Sequence, residues 1–143
     1  MTPADELAIR TLVAKYCDSV CRRDPDAWVA NWAEDCVWDL GRGRVTHGRQ
    51  AALELWLTAT ARYPWVAQVA TTGIVEGADD GDTATGQWYI LEFNHLTGGG
   101  GTMHIGHYTD EYVRTPAGWK FAKRALHMIY RGPLDPGVVV PLV

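Results

Sequence analysis

The chain has no block of like charges. Its formal net charge is −4, from 13 Lys and Arg against 17 Asp and Glu spread over 143 residues. Binding a phosphate backbone needs a concentrated basic face, so nucleic acid is not an expected partner. Nor is there an apolar run long enough to span a bilayer: the C-terminal GVVVPLV falls far short of the roughly 20 residues required. The N-terminal MTPADELAIR is acidic and lacks an apolar signal core, so export is not expected. Cysteine is scarce. Cys17, Cys21 and Cys36 are odd in number and have no zinc-type spacing, which fits a reduced, cytoplasmic setting. Cys17 and Cys21, four apart on a helix, are poorly placed for a disulfide. No internal repeat or linker interrupts the chain, and Gly98 to Gly101 is the one low-complexity segment. A single domain over residues 1–143 is expected.

Phenylalanine is also rare, with two residues, yet there are seven Trp and six Tyr. Such aromatics either fill a small core or line a pocket for a flat ligand. Thr2-Pro3 followed by Asp5 and Glu6 marks a helix start. Ile9, Leu12, Val13, Tyr16 and Val20 then recur at helical spacing and give that helix one buried face. Tyr16 on this face is either an anchored core residue or a hydrogen-bond donor to a pocket. Asp24-Pro25-Asp26 opens a second helix with Trp28 and Trp32 on one side. Cys36 to Leu40 reads as a strand, and Asp39 on it alternates away from Trp38. A third helix is expected from about Gly48 to Arg62, burying Leu53, Trp56, Leu57 and Thr60. Val66 to Val75 reads as another strand.

Three long strands follow from Thr83 to Ala125. A glycine hinge joins the first two and a Pro-Gly turn the last two. Helices first and an antiparallel meander last predict an α+β fold, with helices over one face of a strongly curved sheet and a cone-shaped pocket between them. Period-two alternation puts Trp88, Ile90, Glu92 and Asn94 on one face, and His104, Gly106 and Tyr108 on one face of the next strand. The hairpin then makes Glu92 and His104 diagonal neighbours. A carboxylate beside an imidazole can hold its tautomer and raise its basicity, which suits a general base near neutral pH. The alternative is a structural pair, or a Glu92 satisfied by Arg124 or Tyr16.

Other polar residues carry weaker signals. His104 and His107 lie on opposite faces of a strand and cannot chelate one ion together, so no metal site is expected. His47, His95 and His127 have no informative spacing. Gly98 to Gly101 lacks the Gly-Lys-Ser/Thr ending of a phosphate loop and opens a strand, which favours a plain hairpin. Asp18 falls off the apolar stripe and should be solvated. Arg42, Arg44 and Arg49 either bind an anionic substrate tail at a cavity rim or form a solvated loop. The tail after Gly132, PLDPGVVVPLV, is expected on a neighbour or along the sheet edge.

Three segments carry a family resemblance: AIRTLVAKYCDSVCRRDPDAW, DTATGQWYILE and GHYTDEYVRTPAGWKFAKR. With the order of elements, they resemble the SnoaL-like, nuclear-transport-factor-2-like superfamily over nearly the whole chain. The likeness is to the branch with scytalone dehydratase, bile-acid dehydratase and hexachlorocyclohexane dehydrochlorinase, whose members eliminate water or HCl without a cofactor and are typically trimers. The resemblance implies a homo-oligomer, trimer before dimer, and no cofactor. It aligns Tyr16 with a helix-borne pocket Tyr or Lys, Trp38 with a wall aromatic, Glu92 with a pocket Asp and Arg124 with a pocket Arg. His104 and Tyr108 align with inward strand positions. The sequence departs from the branch at its Asp-His dyad, where the aligned residues are Cys21 and Val69. Cys21 there reads as an inert buried thiol rather than a nucleophile or weak base.

The expectation is a cofactor-independent lyase or isomerase acting on a hydrophobic cyclic substrate of polyketide, terpenoid or steroid type, with dehydration or elimination favoured. His104 would be the base, held by Glu92; Tyr16 would donate a hydrogen bond and Arg124 would supply positive charge. Trp38, Cys21, Val69, Trp88, Ile90, Asn94, Tyr108, Leu126 and Met128 would line the substrate site. A polyketide cyclase or ketosteroid-type isomerase is the alternative chemistry. A non-catalytic binding protein, or an interaction module like the small subunits of ring-hydroxylating oxygenases, is the alternative class.

Overall fold

The computed structural model describes residues 1–135, 137 and 140. The first helix, α1, runs Pro3–Arg22. Thr2 caps it reciprocally with Asp5, and Arg23 ends it in the left-handed region at φ 55°. Its buried side carries Ile9, Leu12, Val13, Tyr16 and Val20, the stripe expected from the sequence, together with Cys17 and Ser19. Asp5 also accepts a bond from Trp119 Nε1 and pairs with Arg114 at 2.8 Å, which ties the start of α1 to the far hairpin.

The second helix is shorter than the sequence suggests. It spans Pro25–Val29 (α2), capped by the Asp24 side chain, and Trp32 already opens a strand. Trp28 and Trp32 share the core because a short turn aims both inward, not because one helix carries them. The other elements are β1 (Trp32–Asp39), β2 (Val45–His47), α3 (Arg49–Thr60), β3 (Trp65–Gly77), β4 (Thr83–His95), β5 (Gly101–Thr115) and β6 (Gly118–Leu134). Helix α3 buries Ala52 and Trp56, whereas Leu57 is exposed. The inward arc of α3 is thus narrower than its apolar residues imply. Asp39 has a turn role: its Oδ1 accepts from the Gly41 N–H at 2.7 Å.

Six strands form one curved, unclosed sheet in the order β2-β1-β6-β5-β4-β3. All pairs are antiparallel except β1 with β6, which run parallel. The β4–β5 turn holds three successive glycines at positive φ, Gly98, Gly99 and Gly100, a path that side chains with a Cβ resist. It is a hairpin, closed by the Leu96 N–H on the Gly100 carbonyl at 2.9 Å. Of the C-terminal tail, Pro133 and Leu134 belong to β6 and pair with Thr102 and Gly101. The expectation for the segment beyond Asp135 lies mostly outside the described residues.

Two irregularities in β6 fix which of its side chains face inward. The register with β5 shifts between Glu111 and Tyr112 and again between Ile105 and Gly106. Each shift inserts one residue into β6 and reverses the alternation. Phe121 lies opposite Tyr112; Arg124, Leu126 and Met128 lie opposite Asp110, Tyr108 and Gly106; then Arg131 lies opposite His104.

Between the helices and the concave face lies an aromatic core. Trp28 stacks on Trp56 with ring centres 5.1 Å apart, and Trp32, Trp38, Tyr16 and Phe121 surround them with mostly edge-on and tilted contacts. The tryptophans therefore do both things that the composition allowed: Trp28 and Trp32 fill the core, while Trp38 and Trp56 also border a cavity. Among the described residues no helix is long and apolar enough to cross a membrane.

Candidate active site

A cavity of about 130 Å³ lies between α1, α3 and the concave faces of β1 and β3 to β6. Tyr16 enters it from α1, Trp38 from β1, Ile90 and Glu92 from β4, His104 and Tyr108 from β5, Leu126 and Met128 from β6. Gly106 matters by its small size. A Cβ there would sit 2.9 Å from Leu126 Cδ1 and 3.3 Å from Ile90 Cγ1, so any side chain would crowd the wall between them.

Glu92 and His104 are directly opposite in the β4–β5 register, not diagonal. The hairpin pairs Asn94 with Thr102, which brings Glu92 level with His104. His104 Nδ1 lies 3.4 Å from Glu92 Oε1, and both side chains are mostly buried. The other carboxylate oxygen, Oε2, accepts from Gln68 Nε2 at 2.8 Å. Gln68 Oε1 in turn lies 3.9 Å from Cys17 Sγ.

The far ring nitrogen fixes the tautomer of His104. Nε2 lies 3.2 Å from Thr102 Oγ1, and that hydroxyl lies 2.8 Å from Asn94 Oδ1. The Thr102 backbone N–H also donates to Asn94 Oδ1, at 3.2 Å, which sets the amide orientation. An amide oxygen only accepts, so the Thr102 hydroxyl must spend its one proton on Asn94. Towards His104 it can then only accept, so Nε2 carries the ring proton. In the neutral imidazole, Nδ1 is left with its lone pair beside Glu92 and the cavity. Thr102 and Asn94, not Glu92, hold the tautomer; Glu92 supplies the counter-charge for a proton arriving at Nδ1.

Arg124 occupies a different place from the one expected. It is 1% exposed and does not line the cavity. Its Nε and Nη2 donate to the two oxygens of Asp110 at 2.8 and 2.7 Å, a bidentate pair. Burial works against the Arg124 charge, but Asp110 outweighs it and holds the guanidinium well above its ordinary pKa. Tyr112 donates to Asp110 Oδ2 at 2.6 Å and Trp88 Nε1 donates to the Tyr112 oxygen at 2.8 Å, completing a chain of buried polar groups. The Arg124 guanidinium lies 4.3 Å from the Tyr16 ring centre and 4.1 Å from that of Tyr108. It therefore backs two cavity phenols without reaching the cavity. Burial raises the pKa of both phenols, with Arg124 pulling the other way, so both remain O–H donors at neutral pH.

Four further expected residues lie off the cavity. Val69 is 48% exposed on the outer face of β3, because its neighbour Gln68 takes the inward position opposite Glu92. A one-residue slip reverses the face of a strand residue. Cys21 rests on the β3 backbone, accepting from the Gln68 N–H at 3.2 Å. Trp88 faces inward but lies over Gly73, where a Cβ would meet its ring at 2.2 Å. Asn94 is fully buried and acts through Thr102. His107 is half-buried on the outer face and stacks on Tyr89 at 4.9 Å. Among the described residues no group of three or more His, Cys, Asp or Glu is arranged to hold a metal ion.

The sequence reading missed Gln68, Thr102, Asp110, Arg62 and Arg131. Alternation from His104 already put Thr102 and Asp110 on the inward face of β5, so a signal for these two was present. Arg131 had none, because the second β6 irregularity reverses its side.

This cone of helices over a curved sheet, with its polar pair set in an aromatic cavity, defines a SnoaL-like protein. The sequence matches the SnoaL-like domain over residues 2–125, and the chain belongs to that family. No curated protein matches it. Among solved structures it is similar to a hexachlorocyclohexane dehydrochlorinase, LinA type 2, with 25% identity and a TM-score of 0.86 over 96% of this chain and 94% of that one. LinA type 3 from Novosphingobium barchaimii LL02 gives 26% and 0.85 over 97% and 96%. A protein of Novosphingobium aromaticivorans, provisionally designated an aromatic ring hydroxylase, gives 28% and 0.86 over 94% and 96%.

Proposed function

We propose that the protein is a cofactor-independent lyase acting on a hydrophobic cyclic substrate, with His104 Nδ1 as the general base. The observation that carries this is the Glu92–His104 pair on the cavity wall, with the ring proton held on Nε2 by Thr102. The similarity to two dehydrochlorinases supports elimination as the reaction class. His104 takes the proton from a carbon next to an activating group. Its new positive charge is met by the Glu92 carboxylate. Tyr16 or Tyr108 donates to the oxygen or leaving group on which negative charge develops, and the Arg124 charge behind both rings favours that donation. Loss of water or halide completes the elimination, while isomerisation and cyclisation share the first step. The carrier reading draws on one observation: where the branch has its dyad, Cys21 lies off the cavity and Gln68, which takes the inward position beside Val69, is neither acid nor base.

Solvent exchange tests the shared step without knowing the leaving group. Cyclic ketones, cyclic β-hydroxyketones and chlorinated cyclohexanes would be incubated with the protein in D2O and followed by NMR. The wild type should exchange or eliminate the acidic proton of at least one class. His104→Ala should lose at least about 100-fold and Glu92→Gln about 10-fold, in the range of a general base and its charge partner. Exchange that survives in His104→Ala would remove His104 as the base, and no exchange with any class would favour the carrier.

A further inference from the structure

The cavity wall is charged in a way that elimination does not require. Arg44, Arg62 and Arg131 line it, and Glu92 is the one carboxylate among the lining residues. The chain as a whole is acidic, at −4, so this cluster of cations opposes the overall balance. Glu92 is already engaged by Gln68 and His104.

Most arginines elsewhere are treated differently. Of the seven outside the cavity, Arg10, Arg22, Arg49, Arg114 and Arg124 each pair with a carboxylate, and Arg23 donates to the Tyr63 carbonyl. Among the described residues none of the three cavity arginines pairs with a carboxylate. They come from separate segments and are exposed to solvent at the cavity edge, and two of them are held by neutral groups. Arg44, in the β1–β2 loop, donates to the Leu40 carbonyl at 3.2 Å. Arg62, just past α3, donates to the Tyr63 hydroxyl at 3.0 Å and lies over that ring. Its own carbonyl accepts from the Thr97 N–H and hydroxyl at 3.0 and 3.2 Å, tying it to the β4–β5 hairpin. Arg131 is turned inward by the β6 irregularity and pairs in register with His104. Guanidinium groups bind carboxylate and phosphate oxygens through paired N–H donors.

We infer that the substrate carries an anionic oxygen group, carboxylate or phosphate, on its hydrophobic ring, and that Arg44, Arg62 and Arg131 bind this group at the cavity mouth. The inference rests on reading the cavity as a site for a hydrophobic cyclic compound. It adds the charge of that compound and its orientation: ring inward against Trp38 and Tyr108, anion outward. Arg131 lies opposite His104 in the β5–β6 register, so the two residues rise from the same stretch of the wall.

Calorimetric titration of the full chain tests this with three probes sharing one ring: 2-naphthoate, 2-naphthyl phosphate and the neutral 2-naphthamide. At low salt one or both anions should bind at least about 10-fold tighter than the amide, and the tighter anion names the group. The advantage should shrink at 500 mM NaCl (concentration chosen to screen exposed charges). It should vanish in the Arg44→Met, Arg62→Met, Arg131→Met triple variant, while the amide binds as before and so reports an intact cavity. The preference should persist in His104→Ala. Equal binding of anions and amide, failure of all three probes to bind, a preference that survives the triple variant, or its loss in His104→Ala would each overturn the inference. No probe turns over, so the outcome is separate from solvent exchange. Anion preference without exchange would sink the lyase reading alone, and exchange without anion preference would sink this inference alone.

Discussion

At the scale of single residues, the site depends on which nitrogen of His104 carries its proton. Thr102→Val keeps the shape of the side chain but removes the acceptor for Nε2–H. The ring is then free to protonate on Nδ1, the wrong side for a base. Solvent exchange should fall about 10-fold, with global stability changed by less than about 1 kcal/mol, because this bond joins neutral groups near the cavity. A matching loss of exchange and stability in urea titrations would assign Thr102 a merely structural role. The thiols give a second test. Burial pushes Cys17 up to about 11 from an ordinary 9. An unfolded chain therefore loses this proton at a lower pH than the folded one. Stability should be full below pH 9 and fall as pH rises towards 11, with buried Cys36, also raised to about 11, adding to the slope. Cys17→Ala should flatten the alkaline limb of a stability-versus-pH curve measured by urea unfolding; an unchanged limb would contradict this. Sequence alternation alone was enough to bring Glu92 and His104 together, since both lie on regular stretches of β4 and β5. It failed for Val69, where an alignment offset by one residue chose the wrong face, and it had no means to separate a cavity arginine from Arg124, whose charge is taken up by Asp110.

At the scale of elements, strand existence was legible and strand parity was not. The glycine hinge, the Pro-Gly turn and the apolar alternation marked β4, β5 and β6. The β6 irregularities left no such mark, and Arg131 was lost with them. Helix α2 was overextended because the Trp28–Trp32 spacing suits a helix, although a short turn into β1 buries both rings just as well. Gly73 shows how closely elements are fitted. Trp88 on β4 lies flat over this β3 glycine, and a Cβ would come within 2.2 Å of its ring. Gly73→Ala should cost about 1–3 kcal/mol in urea unfolding as the indole is displaced. A neutral substitution would mean that the ring moves aside freely. The displaced indole would also pull away from Tyr112, loosening the chain of bonds that ends on Arg124.

At the scale of the whole molecule, the α+β class followed from helices first and a meander last. The sheet order did not, because the parallel seam between β1 and β6 joins segments from opposite ends of the sequence and leaves no local signal. Trp38 pairs with Arg124 across that seam. This sets an order of assembly. The hairpins from β3 to β6 close short loops and can form early. The seam must close a loop spanning most of the chain and waits for the meander, which makes it the late, high-entropy step. The tryptophans of β1 report on that step, because Trp32 meets Phe121 and Trp38 pairs with Arg124 only once β1 docks on β6. In stopped-flow refolding, β-sheet circular dichroism should therefore rise before tryptophan fluorescence reaches its native value. Coincident single-exponential traces would show that the seam forms with the meander. If the fluorescence lags, the cavity is the last part of this fold to exist, and a nascent chain has no binding site until β6 has been made.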